Sequence, residues 1–251
     1  MKNVKLLTTI CGFERGGTTV LSDILRQHPK IYAGFEGGIL LAQDPFDFKT
    51  INPYYENFKR GWKLSDDQMD MILSAPNWQQ IYARIAQESE IIRPHINYIF
   101  DKTPIYIKYL SSVMSRVPNT PCLVISRDPR SVIASWLKRR ENLDIQVATK
   151  RYLSYVEGYQ MAISNGFGDN ILKLRYEDLC TSPKLITKKV FNFLKIPFKP
   201  SYLSLNFKNA NVHDSTVVKK YMYEYQNILT PSQEFEILKL TQHLKDWVYF
   251  E

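Results

Sequence analysis

The feature that most restricts what this chain can fold into lies near its start. Lys5 to Cys11 is a short, apolar and largely β-branched run, and Gly12 closes it. The segment Phe13-Glu14-Arg15-Gly16-Gly17-Thr18-Thr19 follows, and then Val20, Leu21, Ile24 and Leu25 recur at helical spacing as far as Pro29. A run that is apolar on both faces is the pattern of a strand inside a parallel sheet. The spacing after the glycines predicts an amphipathic helix, with Thr18 or Thr19 as its N-cap. Glycines let a backbone approach an anion closely, and the N–H groups and dipole of a helix N-terminus favour negative charge. The loop therefore reads as an anion cradle, the threonine hydroxyls adding donors; a glycine-rich turn that binds nothing is the plainer alternative. Against the pattern GxxxxGK[ST] the glycines fit, but Thr18 stands where the lysine belongs. This weighs against a conventional ATPase or kinase.

Further strands are expected at Ile31 to Gly34, Tyr98 to Asp101, Cys122 to Arg127 and Ile171 to Tyr176, with helical patterns between several of them. That alternation predicts βαβ units, hence an α/β fold with a parallel central sheet flanked by helices. Ser65 to Glu90 reads as helical, with Met69, Ile72 and Leu73 on one face, then Trp78, Ile81, Tyr82 and Ile85. Segment 41–64 is rich in aromatic residues, among them Phe46, Phe48, Tyr54, Tyr55, Phe58 and Trp62, and core packing is the expected role of most of these rings. The length fits a single domain over residues 1–251, with 41–97 as a helical and loop insertion.

With 33 Lys and Arg against 25 Asp and Glu, the net charge of +8 favours an anionic partner. The basic residues are dispersed among acidic ones, and clusters such as Lys138-Arg139-Arg140 and Lys188-Lys189 are short. A small polyanion therefore fits better than nucleic acid or a membrane surface. No apolar run approaches a bilayer-spanning length, and the start shows no secretory signal pattern. Cys11, Cys122 and Cys180 form no CxxC pair, so neither a disulfide framework nor a metal site is expected, and a cytoplasmic location fits.

Two segments carry a family resemblance. Cys11-Gly12-Phe13-Glu14-Arg15-Gly16-Gly17-Thr18-Thr19-Val20-Leu21, with His28-Pro29 behind it, resembles the 5′-phosphosulfate-binding loop of the sulfotransferases, many of which carry Ser where Gly16 stands. Leu123-Val124-Ile125-Ser126-Arg127-Asp128-Pro129-Arg130-Ser131-Val132-Ile133-Ala134-Ser135 is similar to the same family's 3′-phosphate segment. Leu174-Arg175-Tyr176-Glu177-Asp178-Leu179 is a weaker match, to the family's RYEDL segment. The resemblance implies a P-loop NTPase-like sulfotransferase fold. It also implies 3′-phosphoadenosine 5′-phosphosulfate (PAPS) as donor, 3′-phosphoadenosine 5′-phosphate (PAP) as product, and no metal requirement.

On this resemblance Arg15, Gly16, Gly17, Thr18 and Thr19 hold the phosphosulfate. Arg127 and Ser135 hold the 3′-phosphate, with Arg130 as an additional phosphate or structural candidate. Tyr176 lies at the nucleotide or in the core, and Lys219 and Lys220 are weaker donor ligands, since Ser215 to Lys220 departs from the family's C-terminal loop. Lys102, in Phe100-Asp101-Lys102-Thr103-Pro104, matches a donor-contacting lysine. Glu36 matches the catalytic glutamate of tyrosylprotein and related sulfotransferases and is preferred as general base over His95 and His213; Gly34, Gly37 and Gly38 are expected to leave substrate room beside it. His28 and His243 read as structural. The expected reaction is sulfuryl transfer to a hydroxyl, with an amine as the lesser alternative, of a small molecule such as a secondary metabolite. Segment 41–97 would then face that acceptor. The competing readings are a P-loop nucleotide kinase and a basic nucleic-acid-binding module.

Overall fold

A computed structural model describes residues 4–140, 142–203 and 219–247, with the side chains of Lys219 and Lys220 outside the description. The strands are β1 (Lys5–Gly12), β2 (Ile31–Tyr32), β3 (Tyr98–Lys102), β4 (Cys122–Ser126) and β5 (Ile171–Arg175). All pair in parallel, in the order β2-β3-β1-β4-β5. The helices are α1 (Thr18–Arg26), α2 (Tyr54–Trp62), α3 (Asp66–Leu73), α4 (Trp78–Glu88), α5 (Leu110–Arg116), α6 (Pro129–Leu137), α7 (Ile145–Ala162), α8 (Tyr176–Thr181), α9 (Pro183–Phe193) and α10 (Pro231–Thr241).

Strand alternation sends neighbouring residues to opposite faces. Ile10, Phe100, Leu123 and Ile125 enter one apolar cluster with residues of α1, α8 and α9. Cys11, Ile99, Cys122 and Val124 enter another, built with α3 to α7. Both faces are therefore covered, which is why these strands read as unbroken apolar runs. The three cysteines are buried and form no disulfide, with Cys11 Sγ 3.7 Å from Cys122 Sγ on the neighbouring strand.

Several boundaries differ from the sequence expectation for identifiable reasons. The edge strand β2 stops at Tyr32, and the Gly34 carbonyl accepts from Arg26 Nη2 at 3.0 Å instead of pairing within the sheet. β4 ends at Ser126, and Tyr176 opens α8 rather than closing β5. The helical stretch from Ser65 divides in two. Ser65 caps α3 with a capping box and Asn77 caps α4, and the turn between them carries Pro76. In segment 41–64, Phe48, Phe58 and Trp62 are buried and pack with centroids 5.6 and 5.8 Å apart, while Phe46 is exposed.

The parallel order brings the C-terminal ends of β1, β3, β4 and β5 to one edge, where open α/β sheets bind ligands. Gly12 makes the exit from β1 possible. At φ 153° a Cβ there would stand 2.2 Å from the carbonyl oxygen of Ile125 on β4, so only glycine lets the loop leave so close to its neighbour.

Candidate active site

The loop after β1 is shaped by two left-handed residues, Arg15 at φ 70° and Gly17 at φ 101°. Gly16 N–H donates to the Phe13 carbonyl at 2.8 Å and tightens the turn. Gly17, not Thr18 or Thr19, is the N-cap of α1, and it gives no side-chain cap. This corrects the expected threonine cap, and the difference matters chemically. The first intrahelical bond runs from Leu21 N–H to the Gly17 carbonyl at 3.2 Å, so the N–H groups of Thr18, Thr19 and Val20 have no acceptor inside the helix. An uncapped N-terminus with its positive dipole end is an anion site.

Side chains from α6 and α7 clamp this loop. Trp136 Nε1 donates to the Glu14 carbonyl at 3.1 Å, and the Glu14 carboxylate accepts from Arg151 Nη2 at 2.9 Å and Tyr155 Oη at 2.8 Å. Asp23 is paired with Arg26 at 2.6 Å. Glu14 and Asp23 thus have cationic partners other than Arg15. Desolvation, followed by repulsion from Arg139 and Arg127, lowers the pKa of the Arg15 guanidinium. Cations crowded at an uncapped helix start call for an anion between them.

Arg127, just past β4, ties the two phosphate-facing segments together. Its Nη1 donates to the Arg15 carbonyl at 2.8 Å, and its Nη2 donates to the Tyr221 carbonyl. The guanidinium lies over the Tyr176 ring, 4.5 Å from the centroid, and Nε is buried with no partner among the described residues. Tyr176 is itself buried, and its ring fills the space beside Gly17, where an added Cβ would meet Cδ2 at 2.5 Å. Ser135 is half-buried in the final turn of α6. Four residues beyond it, in the turn that follows α6, stands Arg139, whose field reaches Arg15. The sequence marks Arg139 only as a member of the short basic cluster Lys138-Arg139-Arg140, and its place beside the loop depends on the fold. Arg130, the additional phosphate or structural candidate, pairs with Asp128 and Glu234, each at 2.9 Å. Lys219 and Lys220 open a 3₁₀ turn, Lys219–Met222, in which the Tyr221 and Met222 carbonyls accept from Arg127 and Ser131. The side chains of both lysines lie outside the described residues.

Glu36 and Lys102 come together from separate parts of the chain. Lys102 ends β3 beside Ile10 of β1, is buried, and donates from Nζ to Glu36 Oε1 at 2.7 Å. Its ammonium also lies 5.6 Å from the centroid of the exposed Phe35 ring. The glycines around Glu36 do not leave substrate room, contrary to expectation. An added Cβ would meet Trp62 Cε2 at 2.6 Å from Gly34, Asp101 Oδ1 at 2.7 Å from Gly37, and Tyr54 Cδ1 at 2.3 Å from Gly38. They let protein pack tightly against the Glu36 segment and so fix it. Tyr54 packs partly buried against the core cluster, and its pKa is pushed up to about 12, first by burial and then by the charges of Glu36 and Glu14. His95 is exposed ahead of β3, at the opposite end of that strand from Lys102, and His213 lies outside the described residues. His28 is buried and accepts from Lys30 N–H at 3.2 Å. Among the described residues no cluster of His, Cys, Asp and Glu could hold a metal, and no helix is long and apolar enough to cross a membrane.

Comparison with known proteins decides the family, since residues 8–200 match the model described as "Sulfotransferase family". This chain belongs to the sulfotransferase family. The sulfotransferase is 24% identical over 214 residues to a putative protein-tyrosine sulfotransferase of Caenorhabditis briggsae, covering 81% of this chain and 70% of the relative. It is 23% identical to protein-tyrosine sulfotransferase 1 of Danio rerio, covering 78% of this chain and 55% of that protein. In fold it is similar to the sulfotransferase domain of the Synechococcus PCC 7002 olefin synthase, with a TM-score of 0.74, 18% identity, and coverage of 100% and 97% of the two chains. Mouse sulfotransferase SULT7A1, solved in complex with PAP, aligns with a TM-score of 0.55 at 14% identity over 95% of this chain and 84% of that one.

Proposed function

We propose that this enzyme transfers the sulfuryl group of PAPS to a hydroxyl of a small-molecule acceptor, with Glu36 as general base. The 2.7 Å pairing of Lys102 with Glu36, at the end of β3 beside the strand that leads into the uncapped α1 loop, carries this reading. The residues present fit the donor. The loop offers Arg15 and helix N–H groups without an intrahelical acceptor to one anionic end, and Arg127 offers a buried Nε without an acceptor among the described residues to the other. Arg127 and Ser135 would hold the 3′-phosphate, with Arg139 beside them, and Tyr176 would back the guanidinium. A charge-assisted hydrogen bond contributes about 1.5 to 3 kcal/mol, so Arg127→Ala is expected to weaken PAP binding about tenfold or more. Calorimetry checks this, and unchanged affinity would remove Arg127 from the donor site.

When bound, PAPS supplies the sulfuryl group and leaves as PAP. Glu36 takes the acceptor's hydroxyl proton on the carboxylate oxygen that Lys102 does not hold, and Lys102 and Arg15 lend positive charge to the leaving end of the donor. Segment 41–97 forms the acceptor side, supported by the Tyr54 ring against Gly38, two residues from the base; outside that segment, the exposed Phe35 ring next to Glu36 suits an acceptor with an apolar body. Incubation of a metabolite extract with sulfur-labelled PAPS, followed by mass identification, tests the reading. A labelled small molecule is expected. Label found only on protein or polysaccharide would overturn the acceptor class, and no product from any source would overturn the activity.

A further inference from the structure

Asp101 precedes Lys102 on β3 and is fully enclosed, yet it carries a carboxylate. Its Oδ2 accepts from Tyr82 Oη of α4 and from Tyr106 Oη, both at 2.8 Å, and its Oδ1 accepts from Thr103 Oγ1 at 2.9 Å. The Gly37 N–H points at the same group and favours its ionised form, although burial still leaves its pKa raised. Two of the hydroxyls gathered on Asp101 then reach back to the segment that carries Glu36. Thr103 Oγ1 accepts from Gly38 N–H at 2.9 Å, and Tyr106 Oη accepts from Leu40 N–H at 3.0 Å. The backbone just after Glu36 is thus anchored, through Gly37, Gly38 and Leu40, to one buried acceptor cluster. The neighbour of Asp101 on the strand, Lys102, meets the Glu36 side chain itself.

A buried carboxylate is costly unless donors surround it, and apolar packing can stabilise a core as well or better. The anchoring pattern supplies a reason for its presence. We propose that Asp101 is a positioning residue for sulfuryl transfer, holding the Glu36 carboxylate in register against Lys102 through the hydroxyls of Thr103 and Tyr106. This rests on the reading of Glu36 as general base. An asparagine at 101 keeps the shape but turns one acceptor oxygen into an amide donor that faces groups already donating.

The test compares Asp101→Asn and Tyr106→Phe, each alone and combined with Glu36→Gln, by kcat, PAP affinity and the crystal structures of the single variants. Asp101→Asn is expected to lower kcat about 10²-fold, the scale of a base displaced by an ångström. Tyr106→Phe, which removes one hydroxyl and keeps the ring if Asp101→Asn fails to fold, is expected to lower it about tenfold. PAP affinity stays unchanged, the Glu36 to Lys102 contact opens, and neither substitution reduces kcat further once Glu36 is glutamine. Losses that multiply with that of Glu36→Gln, PAP affinity falling alongside kcat, or an intact Glu36 to Lys102 contact with full kcat would each overturn the positioning role. Full turnover in Glu36→Gln itself would instead overturn the base assignment, and this proposal with it.

Discussion

Replacing Glu36 by glutamine is expected to lower turnover by about 10² to 10⁴, the usual contribution of a positioned general base. Glutamine keeps the size and one acceptor oxygen of the side chain but cannot take a proton at neutral pH. Lys102 therefore keeps an oxygen to donate to, and the segment held by Gly37 and Gly38 keeps its anchors. Binding of PAP should persist, because the loop N–H groups, Arg15 and Arg127 are untouched. Single-turnover rates beside calorimetric affinities measure both quantities. Normal turnover would send the search for the base to His213, since exposed His95 stands at the far end of β3.

Lys102→Ala is expected to cost about 10² to 10³ in kcat, the range seen when a donor to a developing negative charge is removed. The substitution has two consequences that oppose each other. It removes positive charge from the leaving end of the donor, and it releases Glu36 from its ion pair. If the ion pair were the ammonium's chief role, alanine would leave turnover unchanged or raise it. A large loss with donor affinity reduced by a smaller factor places the lysine's contribution in the transition state. Arginine at 102 should rescue little, because a planar guanidinium cannot occupy the buried space of a compact ammonium.

Much of this arrangement was legible in the sequence because it is local. The run Lys5 to Cys11, the glycines and the spacing of Val20 to Leu25 specify strand, loop and helix within one short stretch, and the missing lysine at Thr18 already argued against a nucleotide kinase. Glu36, Lys102 and Arg127 were identified by resemblance, and the fold then brought Glu36 and Lys102 into contact. What stayed hidden was long-range. Tyr82, Asp101, Tyr106 and Gly37 share no spacing pattern, and only the pairing of β1 with β3 and the covering of that face by α4 unite them. The same cause explains the glycines near Glu36. A glycine in sequence implies room, but whether ligand or protein fills that room depends on Trp62, Asp101 and Tyr54. The Gly17 cap was misread for a local reason, since threonines beside a helix start usually cap it. Here the left-handed Gly17 takes that position and leaves the N–H groups open.

The central claim is that this site clamps a donor with two anionic ends, one at Arg15 to Thr19 and one at Arg127. Calorimetric titration of the full chain with PAP, adenosine 5′-monophosphate and magnesium-ATP tests it most directly. PAP is expected to bind about tenfold or more tightly than adenosine 5′-monophosphate, and Arg127→Ala should erase the difference. Equal affinity for PAP and adenosine 5′-monophosphate, or tighter binding of magnesium-ATP than of PAP, would contradict it.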